Sequence, residues 1–379
     1  GTRVLFRHPL VRSAAYRSAS TEQRRAAHGA LAEVTDPQLD PDRRAWHWAQ
    51  AAPGPDENVA AELERSAGRA QARGGLAAAA AFLERAALLT PEQGRRGRRL
   101  LAAARAKRAA GALDAALELL VAVEATAPDP LRTAEVQHLR GLVTFVQRGA
   151  GDGARQLLSA ARHLEPLNAS LPREMYLEAL GAAIWADDLD SPGVLRAAAE
   201  AARAAPPAPE PPRAVDLLLD AFALRLTEGY AAAAPTLTRA LELALALDVA
   251  DDEVDRWRWL ATGRASATAA LELWDAESSH ALAARQVRFA RDTGAPVYLQ
   301  YALNSLATTH LLAGELATAA RLLEEDRLIA EVTGNPPVGY AAMALAAWRG
   351  REPAASELIE VTSRAATARG LGRMVSFAD

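Results

Sequence analysis

Six times along this chain a glycine is followed, five residues later, by an alanine: Gly75/Ala80, Gly111/Ala116, Gly149/Ala154, Gly229/Ala234, Gly314/Ala319 and Gly350/Ala355. Successive glycines lie 36, 38, 80, 85 and 36 residues apart, so each wide gap holds one further, degenerate unit. Every one of these glycines closes an apolar-periodic stretch, and every alanine sits in the next. Glycine there suits a tight turn between antiparallel helices because it tolerates positive φ, while alanine lets the helices approach closely. A fixed period with two helices per unit is the signature of an α-solenoid. The expectation is an all-α superhelix without an active site of its own.

Composition bears on the same point. About a quarter of the chain is alanine and only 5% is Phe, Trp or Tyr, which suits helix packed on helix. A net charge of −4 gives no global case for nucleic acid or an anionic membrane. No run of 18 apolar residues exists, and Arg7 and Arg12 interrupt the N-terminal apolar stretch, so neither a membrane span nor a signal peptide is expected. The absence of cysteine fits a reducing compartment, and cytoplasmic is the expected location. The chain does not begin with Met, which suggests a piece of a larger protein.

Thr2–Phe6 alternate weakly and read as one short strand before a turn at His8-Pro9, with a short helix over Leu10–Arg17. Ser20 and Gln23 form a capping box for a helix reaching Val34, and Pro41 belongs in the first turn of the next helix. Beyond Asp56 the pattern is helical throughout. First arms are expected near 57–73, 97–110, 131–148, 173–186, 213–228, 253–271, 296–312 and 337–349. Second arms are expected near 75–89, 112–126, 153–165, 193–204, 230–247, 276–292, 315–333 and 352–369, making about eight pairs. The proline-rich Ala205–Pro212 reads as an exposed, semi-rigid connector.

Ala110-Gly111-Ala112-Leu113-Asp114-Ala115-Ala116, closed by Pro128, resembles the second half of a tetratricopeptide repeat. Most other units depart from that pattern, so the array is TPR-like. In such superhelices the first arms line a concave groove and the second arms form the outer wall. The N-terminal segment is more specific. Phe6-Arg7-His8-Pro9-Leu10-Val11-Arg12-Ser13-Ala14-Ala15-Tyr16, followed by Arg24, Arg25 and His28, resembles the end of a winged-helix module. That module closes the signal-transducing ATPase part of large ATP-binding LuxR-family transcriptional regulators. Asp42-Arg43-Arg44-Ala45-Trp46-His47, Leu273-Trp274-Asp275 and Thr333-Gly334-Asn335-Pro336-Pro337 extend the resemblance.

The resemblance implies that 1–55 are the end of a winged-helix module with linker helices, and 56–379 the repeat array. It also implies a sensor region between a nucleotide-binding domain and a helix-turn-helix, neither of which is present. No G-x-x-x-x-G-K-[ST] loop occurs, so neither ATP hydrolysis nor DNA reading is expected of this chain, and no cofactor.

Several clusters carry plain structural readings. Gly149-Ala-Gly151-Asp-Gly153 lacks the preceding strand of a dinucleotide loop and falls on a repeat turn. The seven histidines never pair at i, i+4, so no metal site is expected. Asp248, Asp251, Asp252, Glu253 and Asp255, like Asp187, Asp188 and Asp190, read as solvated helix starts or turns. Arg95, Arg96, Arg98, Arg99, Arg105, Lys107 and Arg108 read as a solvated basic face, with docking of an acidic neighbour as the alternative.

The candidate ligand-binding residues lie on first arms: Tyr176, Trp185, Asp216, Asp220, Arg225, Arg256, Trp259, Gln300, Tyr301 and Asn304. Asp216 and Asp220 share one helix face, and an asparagine in mid-helix, as Asn304 is, wants a partner for its amide. The bland alternative is packing between repeats, with Asn304 capping a neighbouring backbone. The expected function is a sensor arm whose groove binds an effector, either a small molecule or a partner protein, and couples it to the absent ATPase and DNA-binding domains. The rival is a scaffold that docks other chains or self-associates. A toroidal helical enzyme is disfavoured, since only Asp216 and Asp220 approach the acidic cluster it needs.

Overall fold

Short polar side chains placed just ahead of the apolar stretches start the helices. In the computed structural model, which describes residues 9–126, 129–167, 171–187, 189, 193–247, 263, 265–350 and 352–378, Ser20 and Gln23 form the reciprocal capping box read from the sequence. Asp40 caps the following helix with Pro41 in its first turn. Asp56, Asp129 and Asp275 do the same further on, each accepting a backbone N–H two or three residues ahead.

Three helices lead: α1 (Pro9–Ser18), α2 (Thr21–Val34) and α3 (Pro41–Ala51). The strand expected at 2–6 and its turn lie outside the described residues. First arms follow as α4 (Glu57–Ala72), α6 (Gln93–Ala109), α8 (Pro130–Gln147), α10 (Leu171–Ala186), α12 (Ala214–Glu228), α14 (265–272), α16 (Pro296–Leu312) and α18 (Tyr340–Trp348). Second arms alternate with them as α5 (Leu76–Leu89), α7 (Leu113–Glu124), α9 (Ala150–Leu164), α11 (Val194–Ala204), α13 (Tyr230–Ala246), α15 (Ala276–Asp292), α17 (Leu316–Thr333) and α19 (Glu352–Ala368). A last helix, α20 (Gly372–Ala378), comes after them. Among the described residues there is no strand, and the chain is an all-α solenoid of antiparallel pairs. No described helix is long and apolar enough to cross a membrane.

The core is made of alanine and leucine at the contacts between arms. Of the six repeat alanines, Ala80, Ala116, Ala154, Ala319 and Ala355 are buried and Ala234 is half-buried. Several of the turns share one hydrogen-bond pattern. At Gly111 and Gly314 the glycine N–H bonds the carbonyl three residues back, and the next N–H bonds the carbonyl five back, with the glycine at φ +88° and +78°. This is the left-handed helix stop that glycine favours. Two repeat glycines differ from expectation. In the first pair the left-handed residue is Gly74, with Gly75 at φ −86°. Gly149 is extended at φ 164°, a conformation open to any residue, and a Cβ there would meet the Arg369 carbonyl at 3.4 Å, an ordinary contact.

The array comes back over its own beginning. Arg108 donates to the Tyr298 hydroxyl at 2.8 Å, and Asn335 donates to the Gly111 carbonyl at 3.1 Å, across sequence separations of 190 and 224 residues. Arg369 donates to the Val146 carbonyl, and Ala150 N–H donates back to the Arg369 carbonyl. The turn at Gly294 lies against the turn at Gly74 so closely that a Cβ on Gly294 would sit 2.0 Å from the Gly74 oxygen. Successive coils are therefore in direct contact.

Candidate functional site

Where the coils meet, α10 of the earlier coil faces α14, Tyr340 and α20 of the later one across a cavity of about 640 Å³. Two neighbouring cavities are far smaller, at about 70 and 60 Å³. The large one falls in the size range of small-molecule sites. Its lining takes six of the chain's nineteen aromatic residues (seven Trp, six Tyr, six Phe): Trp185, Phe222, Tyr230, Trp274, Tyr340 and Phe377. In a chain so poor in aromatics, that concentration sets this place apart. Tyr340 links the set, with its ring centroid 5.8 Å from Trp185 and 6.2 Å from Phe377. Tyr230, Trp274 and Phe377 stand exposed at the rim.

Polar groups enter this apolar wall at a few points. Glu272 of α14 is 8% exposed, and Arg225 Nε lies 2.7 Å from its Oε2. The approach is off the N–H axis, so neither carboxylate oxygen receives a hydrogen bond. Burial pushes the Glu272 carboxyl above its ordinary range, and the charges of Arg225 and Arg373 only partly oppose this. Arg225 also stacks on Tyr230 at 5.0 Å. Arg373 lies over the Trp185 ring at 5.9 Å and has no carboxylate partner among the described residues. Glu178, also in the wall, is turned to His138.

The sequence candidates separate into three groups. Trp185 lines the large cavity, Tyr301 and Gln300 line a small one, and Arg225 reaches the large cavity through Glu272. Tyr176, Asp216, Asp220 and Asn304 are built into structural pairs, and so is Gln300. Tyr176 is buried and donates to Glu165, and with its burial that bond pushes its hydroxyl well above the ordinary range. Asp216 is fully buried. It accepts from Arg173 at 3.0 Å and from Arg213 backbone N–H and side chain, while Asp220 accepts from Arg173 at 2.6 Å. Burial pushes the Asp216 carboxyl up, but the bonds from Arg213 and the nearby Arg173 outweigh it and hold it low. Gln300 and Asn304 both donate to buried Asp326 at 2.9 Å, and Asn304 Oδ1 accepts from Ala341 N–H, which is the backbone cap held open as its bland role. Arg256 and Trp259 lie outside the described residues, as does the acidic cluster at 248–255.

The basic run on α6 is a correction. Arg99 is 4% exposed and bonds Glu57 and Glu64 of α4, Arg105 pairs with Glu135, Lys107 with Glu84, and Arg108 with Tyr298. Arg95, Arg98 and Arg105 of this run are exposed, and of these Arg95 and Arg105 still pair with Glu57 and Glu135. The run latches neighbouring arms instead of forming a solvated face. The glycines of 149–153 pack helices together, since a Cβ on Gly153 would meet Phe145 at 2.8 Å. His28 and His47 touch at 2.9 Å, with the Tyr16 hydroxyl on the other side of His28. Among the described residues no group of three or more His, Asp or Glu is placed to hold a metal.

Sequence reasoning missed Phe222, Tyr230, Glu272, Tyr340, Arg373 and Phe377 as site residues. One signal was available. Leu273-Trp274-Asp275-Ala276 occupies the same turn as Ala313-Gly314-Glu315-Leu316, so a tryptophan stands where the repeat has glycine.

No protein-family model matches the chain, and no curated protein matches its sequence. Among solved structures, a Rap protein complexed with competence and sporulation factor is 12% identical over 85% of this chain and 98% of its own, with a TM-score of 0.43. A signal transduction ATPase with numerous domains, carrying a tetratricopeptide repeat sensor, from Pyrococcus horikoshii is 14% identical with a TM-score of 0.32. It aligns with 90% of this chain, which spans about half (51%) of that protein's length. A circular tandem repeat protein is 14% identical with a TM-score of 0.15. At such scores these likenesses carry no weight on function, and the class rests on the helices themselves: an all-α, TPR-like helical-repeat protein.

Proposed function

We propose that this chain is the sensor arm of a LuxR-family ATP-binding transcriptional regulator, and that it binds a small-molecule effector in the aromatic cavity between its coils. The observation that carries this is the cavity itself, about 640 Å³, walled by six aromatic residues drawn from both coils. A ligand there touches α10 and α20 at once, so its binding energy depends on how the coils are spaced. An effector must bind two states unequally to act, and a site shared between two parts that can shift supplies that inequality. The regulator assignment is supported by the Phe6–Tyr16 motif and its continuation, and it makes the ATPase and helix-turn-helix domains partners in the same protein. The chain itself then acts by binding, not by chemistry, in the cytoplasm.

Thermal melts and calorimetry of the chain with a metabolite panel test this. A true effector at a hundred times its Kd stabilises the fold by about 2.7 kcal/mol, readily seen as a shift in Tm. That shift is expected to disappear in Trp185→Ala. If no compound shifts the melt while a protein partner is captured on the same surface, the chain is a scaffold and the sensor assignment fails.

A further inference from the structure

Three features of the cavity point at the chemistry of its occupant. Arg373 is half-buried on the face of Trp185 with no carboxylate partner among the described residues. Glu272 is more than nine-tenths buried, lines the cavity, and has two oxygens that receive no hydrogen bond. Arg225 offsets the charge of this carboxylate, but its oxygens keep the capacity to accept a hydrogen bond from a donor that reaches them. Trp274 is 87% exposed at the rim and sits at φ +57°. Its N–H bonds Leu271 and the next N–H bonds Ala270, the same pattern as at Gly111 and Gly314. A bulky residue held in that region is strained, and such strain gathers at ligand clamps.

The charges decide the sign of the ligand. Arg225 lies 2.7 Å from Glu272 and offsets its charge, while Glu178 is turned to His138. Arg373, whose charge also acts on Glu272, is the wall's charged group with no opposite charge in contact among the described residues, and it is positive. The aromatic lining asks for a flat apolar body. Resting on the sensor function above, we infer that the effector is an aromatic organic acid: its carboxylate pairs with Arg373, its ring packs against Trp185 and Trp274, and a hydroxyl or N–H on it donates to Glu272.

Calorimetry with three compounds sharing one ring tests this: 6-hydroxy-2-naphthoate, its carboxamide, and the matching methylamine. The acid is expected to bind at least about tenfold tighter than the amide, the least that a charge-assisted hydrogen bond contributes. Arg373→Met should remove that preference while leaving the melting temperature of the free protein in place. Glu272→Gln should weaken 6-hydroxy-2-naphthoate but leave 2-naphthoate, which lacks the hydroxyl, unchanged. An amide or amine that binds as well as the acid overturns the inference, as does an acid preference that survives Arg373→Met. If none of the three binds but a metabolite of another class does, the ligand class is wrong and the sensor function stands. If nothing binds at all, both fall.

Discussion

Arg173 and Asp216 meet at 3.0 Å with both charges sealed from water, the arginine 2% exposed and the aspartate 0%. Arg173 also reaches Asp220 and the Pro206 carbonyl, so it ties α10 to α12 and to the proline-rich connector. Removing one partner of a buried pair strands the other. Asp216→Ala is expected to destabilise the chain by about 3–5 kcal/mol. Denaturant unfolding measures this; a loss under about 1 kcal/mol would mean that Asp220 alone satisfies Arg173.

Asp326 gives the fold a pH dependence of unusual sign. Burial raises its carboxyl to about 6 despite three donors, Gln300, the Val338 N–H and Asn304, from an ordinary value of 3.8. The folded state therefore holds the proton more tightly than the unfolded one. The stability from this group is full below pH 3.8 and is lost as pH rises through 6, by about 3 kcal/mol in all. Unfolding curves between pH 4 and 7 should show wild type losing that much relative to Asp326→Asn, which does not titrate. Parallel curves for the two proteins would disprove it.

Trp274→Gly should stabilise the free chain, against the usual direction for loss of a large aromatic. The side chain is mostly in solvent, so little packing is lost, and the left-handed strain that disappears is worth about 1–2 kcal/mol. Glycine's extra unfolded-state entropy takes back about 0.5–1 kcal/mol. A net change between about 0 and 1.5 kcal/mol in favour of the folded state is expected, and a net loss of stability would show that the ring packs on its neighbours in solution.

Gly294→Ala should open the contact between coils, because its Cβ would lie 2.0 Å from the Gly74 carbonyl oxygen. Gly334→Ala serves as the control: its φ of +72° is just as demanding, but no atom lies within 4 Å of the added carbon. Both variants take on the left-handed strain of about 1–2 kcal/mol. Only Gly294→Ala should also raise the radius of gyration in small-angle scattering and free the Arg108–Tyr298 region to hydrogen exchange. Matching profiles for the two variants would count against a tight seam.

Much of the fold was legible because its determinants are local. Asp40, Asp56 and the Ser20/Gln23 box act within one turn of their own helices, and glycine stops such as Gly111 and Gly314 are visible one at a time. The site was less legible because it is made by contact between coils. Glu272 and Arg373 look like ordinary helix-surface charges until α14 and α20 are placed around one space. Asp216 and Asp220 misled for the same reason: their shared face was read correctly, but their partner, Arg173, lies 43 residues earlier on α10. Gln300 and Asn304 likewise look like groove residues until Asp326, on α17, takes both amides.

The seam between coils gives the molecule the mechanics of a spring wound shut. An open spring can bend at one turn and leave the others unmoved. A closed one has a pitch fixed by whatever lies between adjacent turns, here the Gly74–Gly294 contact on one side and the aromatic cavity on the other. Under the proposed function, a guest wedged into that cavity would act as a spacer, and tilting one turn against the next would swing the free ends through a larger arc. On that same proposal, a shift at Trp185 would be geared up at the helices that lead the chain, where Tyr16, His28 and His47 touch one another.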